Sequence, residues 1–118
     1  MTKTIYIVDD DESILDVLSI MLKEGNYNIV RARDSAQLLS QLTENCSLIL
    51  LDVWMPGKSG DETVRTLKND TKTKHTPIVL LSALNDLPTI ANDCGADGYL
   101  QKPFDMQELL DVVKKYAR

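Results

Sequence analysis

The sequence predicts a doubly wound α/β domain, in which parallel strands alternate with helices packed on both faces of one sheet. Three observations carry this expectation. Short unbroken apolar runs, Ile5–Val8, Leu48–Leu51 and Ile78–Leu81, read as strands covered on both sides. Stretches with apolar residues at helical spacing separate them, and cap or turn residues stand at the junctions. Five alternations of strand and helix then imply right-handed crossovers, the connection that a twisted parallel sheet favours.

The first run leads into a stripe of Ile14, Leu15, Leu18, Met21 and Leu22, a helix that ends at Gly25, read as a left-handed cap. Tyr27–Ala32 is a weaker strand whose polar content suits a sheet edge. Asp34-Ser35 opens the second helix, with Ala36, Leu39 and Leu42 as its apolar stripe. Ser59 and Glu62 have the offset of a capping box and open a third helix that carries Val64 and Leu67. In Asn85–Gly95, Pro88 stands near a helix start, and Leu87, Ile90, Ala91 and Cys94 share one side. Ala96–Gln101 is the last strand. Asp105 with Glu108 opens the last helix, which carries Leu109, Val112, Val113 and Tyr116.

Residues 1–118 have the size of one domain with one core. An apolar fraction of 43% and a charged fraction of 26% are ordinary for a globular protein. With 18 acidic and 13 basic side chains the net charge is −5, the wrong sign for direct contact with nucleic acid. No apolar run approaches the ~18 residues that cross a bilayer, and a strand pattern stands where a signal peptide would begin, so a cytoplasmic protein is expected. Cys46 and Cys94 lack metal-ligand spacing and read as reduced, partly buried thiols; His75, alone in a polar loop, reads as a solvated side chain.

In a doubly wound sheet the carboxyl ends of the strands share one edge, and ligands bind there. That rule selects Asp9-Asp10-Asp11 after the first strand, Asp52 after the third, Ser82 after the fourth and Lys102 after the fifth. Each has a plain structural explanation when taken singly. The acidic run suits a turn and a helix N-terminus, which is all that Asp11 and Glu12 are expected to be. Asp52 could end a strand as a turn residue, Ser82 could be a cap, and Lys102 could be solvated. Together they form a hard oxygen site, suited to a magnesium-like ion and not to zinc or copper. Phosphoryl transfer needs an oxygen nucleophile, a divalent ion, and cationic or hydroxyl groups on the remaining phosphoryl oxygens; Asp52, the acidic pair, Lys102 and Ser82 supply that set.

The segments V-D-D-D after the first strand, L-L-D-V-W-M-P-G around Asp52, L-L-S-A ending at Ala83 and G-Y-L-Q-K-P-F resemble the receiver domain of two-component response regulators, of the single-domain, chemotaxis-regulator kind, over essentially the whole chain. The resemblance implies a flavodoxin-like sheet in the order 2-1-3-4-5. It implies that Asp52 accepts a phosphoryl group from a histidine kinase or a histidine phosphotransfer protein. It assigns Mg²⁺, with Mn²⁺ as a substitute, to Asp10, Asp52 and the Trp54 carbonyl, with Asp9 acting through water. Lys102 pairs with phosphoryl oxygens, Ser82 and Tyr99 form a switch pair, and the surface of helix four, strand five and helix five signals to a downstream partner or to an effector domain outside this chain. By the same resemblance Lys102-Pro103 is a cis peptide, and the domain is a phosphoacceptor that assists its own chemistry, not an enzyme with an outside substrate.

Trp54 and Leu84, bulky and apolar, fall at positions that in the family overlook the phosphoryl group, which points to slow self-dephosphorylation. Lys114, Lys115 and Arg118 leave either a monomer or a phosphorylation-dependent dimer open, through Asp93 or Asp97 of another copy. Two rival readings exist. Asp9-x-Asp11 with Ser82 and a later lysine also resembles haloacid-dehalogenase-type phosphatases, with Asp9 as nucleophile; a phosphorylation-independent adaptor would use only the last strand and helix.

Overall fold

The computed structural model describes residues 2–118, and in them five strands alternate with five helices. β1 (Thr4–Val8), β2 (Asn28–Ala32), β3 (Cys46–Asp52), β4 (Ile78–Ser82) and β5 (Gly98–Gln101) form one sheet in the order β2-β1-β3-β4-β5. Every pairing is parallel. The connecting helices are α1 (Glu12–Glu24), α2 (Ser35–Gln41), α3 (Gly60–Lys68), α4 (Leu87–Cys94) and α5 (Met106–Tyr116). Class and strand order are those expected from the sequence.

β3 lies at the centre of the sheet and is buried throughout. Successive side chains of a strand point to opposite faces, so Leu48 and Leu50 enter one core while Ile49 and Leu51 enter the other. The first core joins β3 to Leu15 and Leu18 of α1 and to Leu109 and Val113 of α5. The second joins it to Leu38 of α2, Val64 of α3 and Ala91 of α4. β2, half-exposed, is an edge strand as its polar content suggests.

The helix boundaries follow side-chain chemistry. Asp11 caps α1 by accepting the Ser13 N–H at 2.9 Å, and Asp34 caps α2 through the Gln37 N–H at 2.8 Å. Asp105 and Glu108 make a full capping box on α5. Gly95, at φ 88°, closes α4 in the left-handed conformation.

Several details differ from the sequence expectations. Gly25 is not left-handed (φ −85°); the next residue, Asn26, takes that conformation at φ 65°. Space is tight at 25, where a Cβ would lie 2.8 Å from the Tyr27 ring and 2.9 Å from the end of the Leu110 side chain, so both side chains would have to shift. Ser59 bonds the Glu62 side chain at 2.8 Å instead of capping a backbone N–H of α3. Cys46 and Cys94 are fully buried, not partly, and burial pushes the Cys46 thiol up to about 12. Asp97 is engaged within the chain, 2.8 Å from Lys68 Nζ and 2.8 Å from the Ile78 N–H.

The largest departure is in α2, where Ala36 and Leu39 are exposed and Ser35 and Leu38 face inward. A helix of 7 residues shows too little period to choose between adjacent leucines. Its inward polar residue is accounted for, because the Ser35 hydroxyl accepts from Thr63 of α3 at 2.9 Å. Leu38→Ala is therefore expected to cost about 2–5 kcal/mol in urea unfolding, as for a buried leucine, and Leu39→Ala less than about 1 kcal/mol. Equal losses would return the helix to the stripe that the sequence suggested.

Candidate functional site

Backbone hydrogen bonds continue past the strand ends and fix the carboxyl edge of the sheet. The Asp9 N–H donates to the Ala32 carbonyl at 3.1 Å, the Val53 N–H to Leu81 at 3.3 Å and the Lys102 N–H to Ser82 at 2.9 Å. Register sets Asp52 opposite Leu81 and Ser82 opposite Gln101. The residues picked from the strand ends thus occupy one edge by backbone geometry, before any side chain interacts.

Carboxylate oxygens of Asp9, Asp10 and Asp52 lie within 4.8 Å of one another, with Asp9 and Asp52 buried and Asp10 exposed. Lys102 Nζ is 3.3 Å from Asp9 and 3.6 Å from Asp52. Asp9 also accepts the Asp11 N–H at 3.0 Å, which orients it. A shallow cleft of about 330 Å³ opens over Asp52, walled by Trp54, Ser82, Ala83, Leu84 and Lys102. Ser82 is buried, and its Oγ accepts the Leu84 N–H at 3.1 Å.

Burial raises the Asp52 carboxyl from 3.8 to about 6; Lys102 opposes the shift, while Asp9 and Asp10 add to it. The donor set is all oxygen, with carboxylates too close to coexist comfortably without a cation, and it fits a small hard ion such as Mg²⁺. Trp54 stands at the rim with 67% of its surface exposed. Tyr99 lies away from the cluster, facing outward from β5 and 45% exposed. Asp11 is not part of the cluster: its carboxylate accepts from the Ser13 N–H and hydroxyl, which hold it below the ordinary value. Its side chain, engaged by Ser13, caps α1 and does not join Asp9 in the carboxylate cluster. Glu12, as expected, serves structure, pairing with Arg31 at 3.0 Å.

The sequence profile described as Response regulator receiver domain matches residues 5–114. The chain belongs to that family. Among curated relatives of this receiver domain, the transcriptional regulatory protein CpxR of Escherichia coli is 35% identical over 97% of the chain, and the phosphate regulon transcriptional regulatory protein PhoB of Pseudomonas aeruginosa is 36% identical over 98%. The chain covers only 49% and 52% of these proteins, about half their length. The chemotaxis response regulator CheY4 of Vibrio cholerae superposes with a TM-score of 0.89 at 28% identity, covering 98% of this chain and 99% of that one. No described helix of the receiver is long and apolar enough to cross a membrane.

One contributor was missed in the sequence. Gly60, the first residue of α3, presses against the end of β3, where a Cβ would strike the Asp52 carbonyl oxygen and lie 2.8 Å from Val53 Cα. Its N–H donates to Val53 at 2.8 Å. Nothing in the local turn demands glycine, so only the packing reveals the need for it.

The Asp52 shift has a signed consequence for stability. Between its ordinary value of 3.8 and about 6 the folded state binds the proton more tightly than the unfolded chain, so stability falls as pH rises through that window and stays lower above it. In metal-free buffer at pH 7.5, Asp52→Asn is expected to be more stable than the parent by about 1–2 kcal/mol, less than full conversion of the shift because the cleft is open to solvent. The difference should close toward pH 4. Denaturant titrations of both proteins across that range measure it, and a variant no more stable at pH 7.5 would contradict it.

Proposed function

We propose that Asp52 is the phosphoacceptor of a two-component pathway. The observation that carries this reading is the placement of one buried carboxylate with a raised affinity for protons, at the floor of an open cleft, among Asp9, Asp10, Lys102 and Ser82. Asp52 Oδ attacks phosphorus of a phosphohistidine as the N–P bond breaks; the electron pair stays on the imidazole nitrogen, and the phosphoryl group remains on the aspartate as an acyl phosphate. With a small donor such as acetyl phosphate, acetate leaves instead. Asp9, Asp10 and Asp52, with the Trp54 carbonyl, would hold Mg²⁺, and Mn²⁺ is its plausible substitute. When bound, the ion neutralises carboxylate charge and the charge of the phosphoryl oxygens.

The chain's own groups complete the step. Lys102, already 3.6 Å from Asp52, counters the phosphoryl charge. Ser82 Oγ accepts from Leu84, so its proton is free to be donated to a phosphoryl oxygen. Tyr99, now outward, turns inward behind it, and the surface of α4, β5 and α5 changes. An apolar recess of about 240 Å³, lined by Ile14, Val17, Met21 and Phe104 and reaching Lys102, borders the cleft and offers the histidine kinase or phosphotransfer protein a place to dock. The acidic balance of the domain leaves any contact with nucleic acid to a separate partner or effector domain. The reading makes 1–118 one cytoplasmic receiver unit that assists its own phosphorylation and dephosphorylation, acts on no outside substrate, and works as a monomer or as a dimer formed on phosphorylation.

The test is intact-protein mass after incubation with acetyl phosphate, with and without Mg²⁺. One phosphoryl adduct that needs the metal and vanishes in Asp52→Ala is the expected result; an unmodified parent protein, also with a phosphohistidine donor, would overturn the reading. Trp54 and Leu84 wall the cleft with apolar surface that cannot orient an attacking water. Trp54→Asn and Leu84→Glu are each expected to shorten the acyl-phosphate half-life by about tenfold, equivalent to about 1.4 kcal/mol of barrier. Unchanged or longer lifetimes would remove both residues from that role.

A further inference from the structure

Gln101 neither reacts nor coordinates in this reading, yet it is tied to two residues of the cleft wall. It closes β5 opposite Ser82. By strand alternation its side chain shares a face with Tyr99, opposite to Leu100, which enters the core under α1 and α5. From that face its Nε2 donates to the Leu84 carbonyl at 3.0 Å. The N–H of the same Leu84 donates to Ser82 Oγ at 3.1 Å. Both backbone polar groups of Leu84 are thereby engaged, the N–H by β4 and the carbonyl by β5 and, at 3.3 Å, by the Leu87 N–H of α4, and the segment leaving β4 is bridged to the edge strand across the flank of Ser82.

We propose that Gln101 is a positioning residue: through its bond to Leu84 it holds the loop after β4, with the Ser82 hydroxyl and the Leu84 side chain, in the resting arrangement, and so slows phosphorylation of Asp52. The inference rests on Asp52 being the phosphoacceptor as read above. An inward turn of Tyr99 carries its ring along the same face of β5, toward the space that the Gln101 side chain spans. The bridge has to open or shift for that turn. An interaction made in one arrangement and lost in the other favours the first by its own strength, and the coupling is reciprocal: weakening the bridge makes the switched arrangement, and with it phosphorylation, easier to reach. One net hydrogen bond corresponds to about a two- to tenfold change.

Gln101→Met keeps the length of the side chain and removes its donor. The position is exposed, so the fold should be retained, with a melting temperature close to the parent's. Two measurements are made on the variant and the parent: amide hydrogen exchange at Leu84, whose N–H is held by Ser82 Oγ and so reports how firmly the bridged loop is fixed, and the initial rate of phosphoryl uptake from acetyl phosphate with Mg²⁺. Faster exchange at Leu84 together with uptake faster by about two- to tenfold is the expected result. Unchanged exchange, or unchanged uptake in a protein that does take up phosphate, would overturn the proposal. Should the parent take up no phosphoryl group from any donor, the reading of Asp52 fails by itself, and the role of Gln101 in slowing phosphorylation falls with it even where faster exchange shows that Gln101 steadies the loop.

Discussion

The arrangement of this protein turns on one costly contact, a carboxylate withdrawn from water beside two others. Asp52 ends the central strand with only 7% of its surface exposed, and Asp9 and Asp10 lie within 4.8 Å. Charges so placed repel and are poorly hydrated, and the single ammonium group of Lys102 at 3.6 Å does not restore the ordinary affinity of Asp52 for protons. The surrounding fold keeps these groups from separating. Two apolar cores clamp β3 from both sides, and ladder bonds run past the strand ends into Asp9, Val53 and Lys102. A rigid frame around unbalanced charge is what makes a cation or a phosphoryl group at that spot matter to the rest of the molecule.

The sheet also divides the molecule into two sides. Helices α1 and α5 cover one face, and α2, α3 and α4 cover the other. The apolar recess beside Lys102 belongs to the α1 side, whereas Tyr99 and Gln101 face the α4 side. In the proposed function, the donor approaches from one side of the sheet and the consequence is expressed on the other. Asp52, at the end of the strand that both cores share, is the point where the two sides meet.

What was legible in the sequence depended on how far each feature is determined locally. Strands β1, β3 and β4 appeared as unbroken apolar runs because they are covered on both faces, and the edge residues followed because strand ends are easily placed in a parallel sheet. Asp105 and Glu108 announced a cap that exists, since both halves of it are local in the chain. Features set by distant packing were hidden. Leu38 and Leu39 differ in nothing but the direction in which a short helix happens to face. Gly25 faces Leu110 of α5 across the fold, and Gly60 lies against the Asp52 backbone, a closeness set by how the start of α3 packs on the end of β3. The bond from Gln101 to Leu84 could not be read either, since an exposed glutamine in a strand has no sequence signature.

The opposite edge of the sheet has a different character. There the chain turns at Gly25–Tyr27, at 42–45 and at 69–77, away from the carboxylates. Position along the site-bearing edge is dictated residue by residue, since a slip of one would turn every strand side chain to the wrong face. The turn at 42–45 is lightly constrained: Leu42 packs on the second core and Thr43 meets the Tyr6 hydroxyl, while Glu44 and Asn45 are exposed. A fluorophore or affinity tag grafted at Glu44 and Asn45 would therefore ride on the domain at the end of the sheet remote from its chemistry.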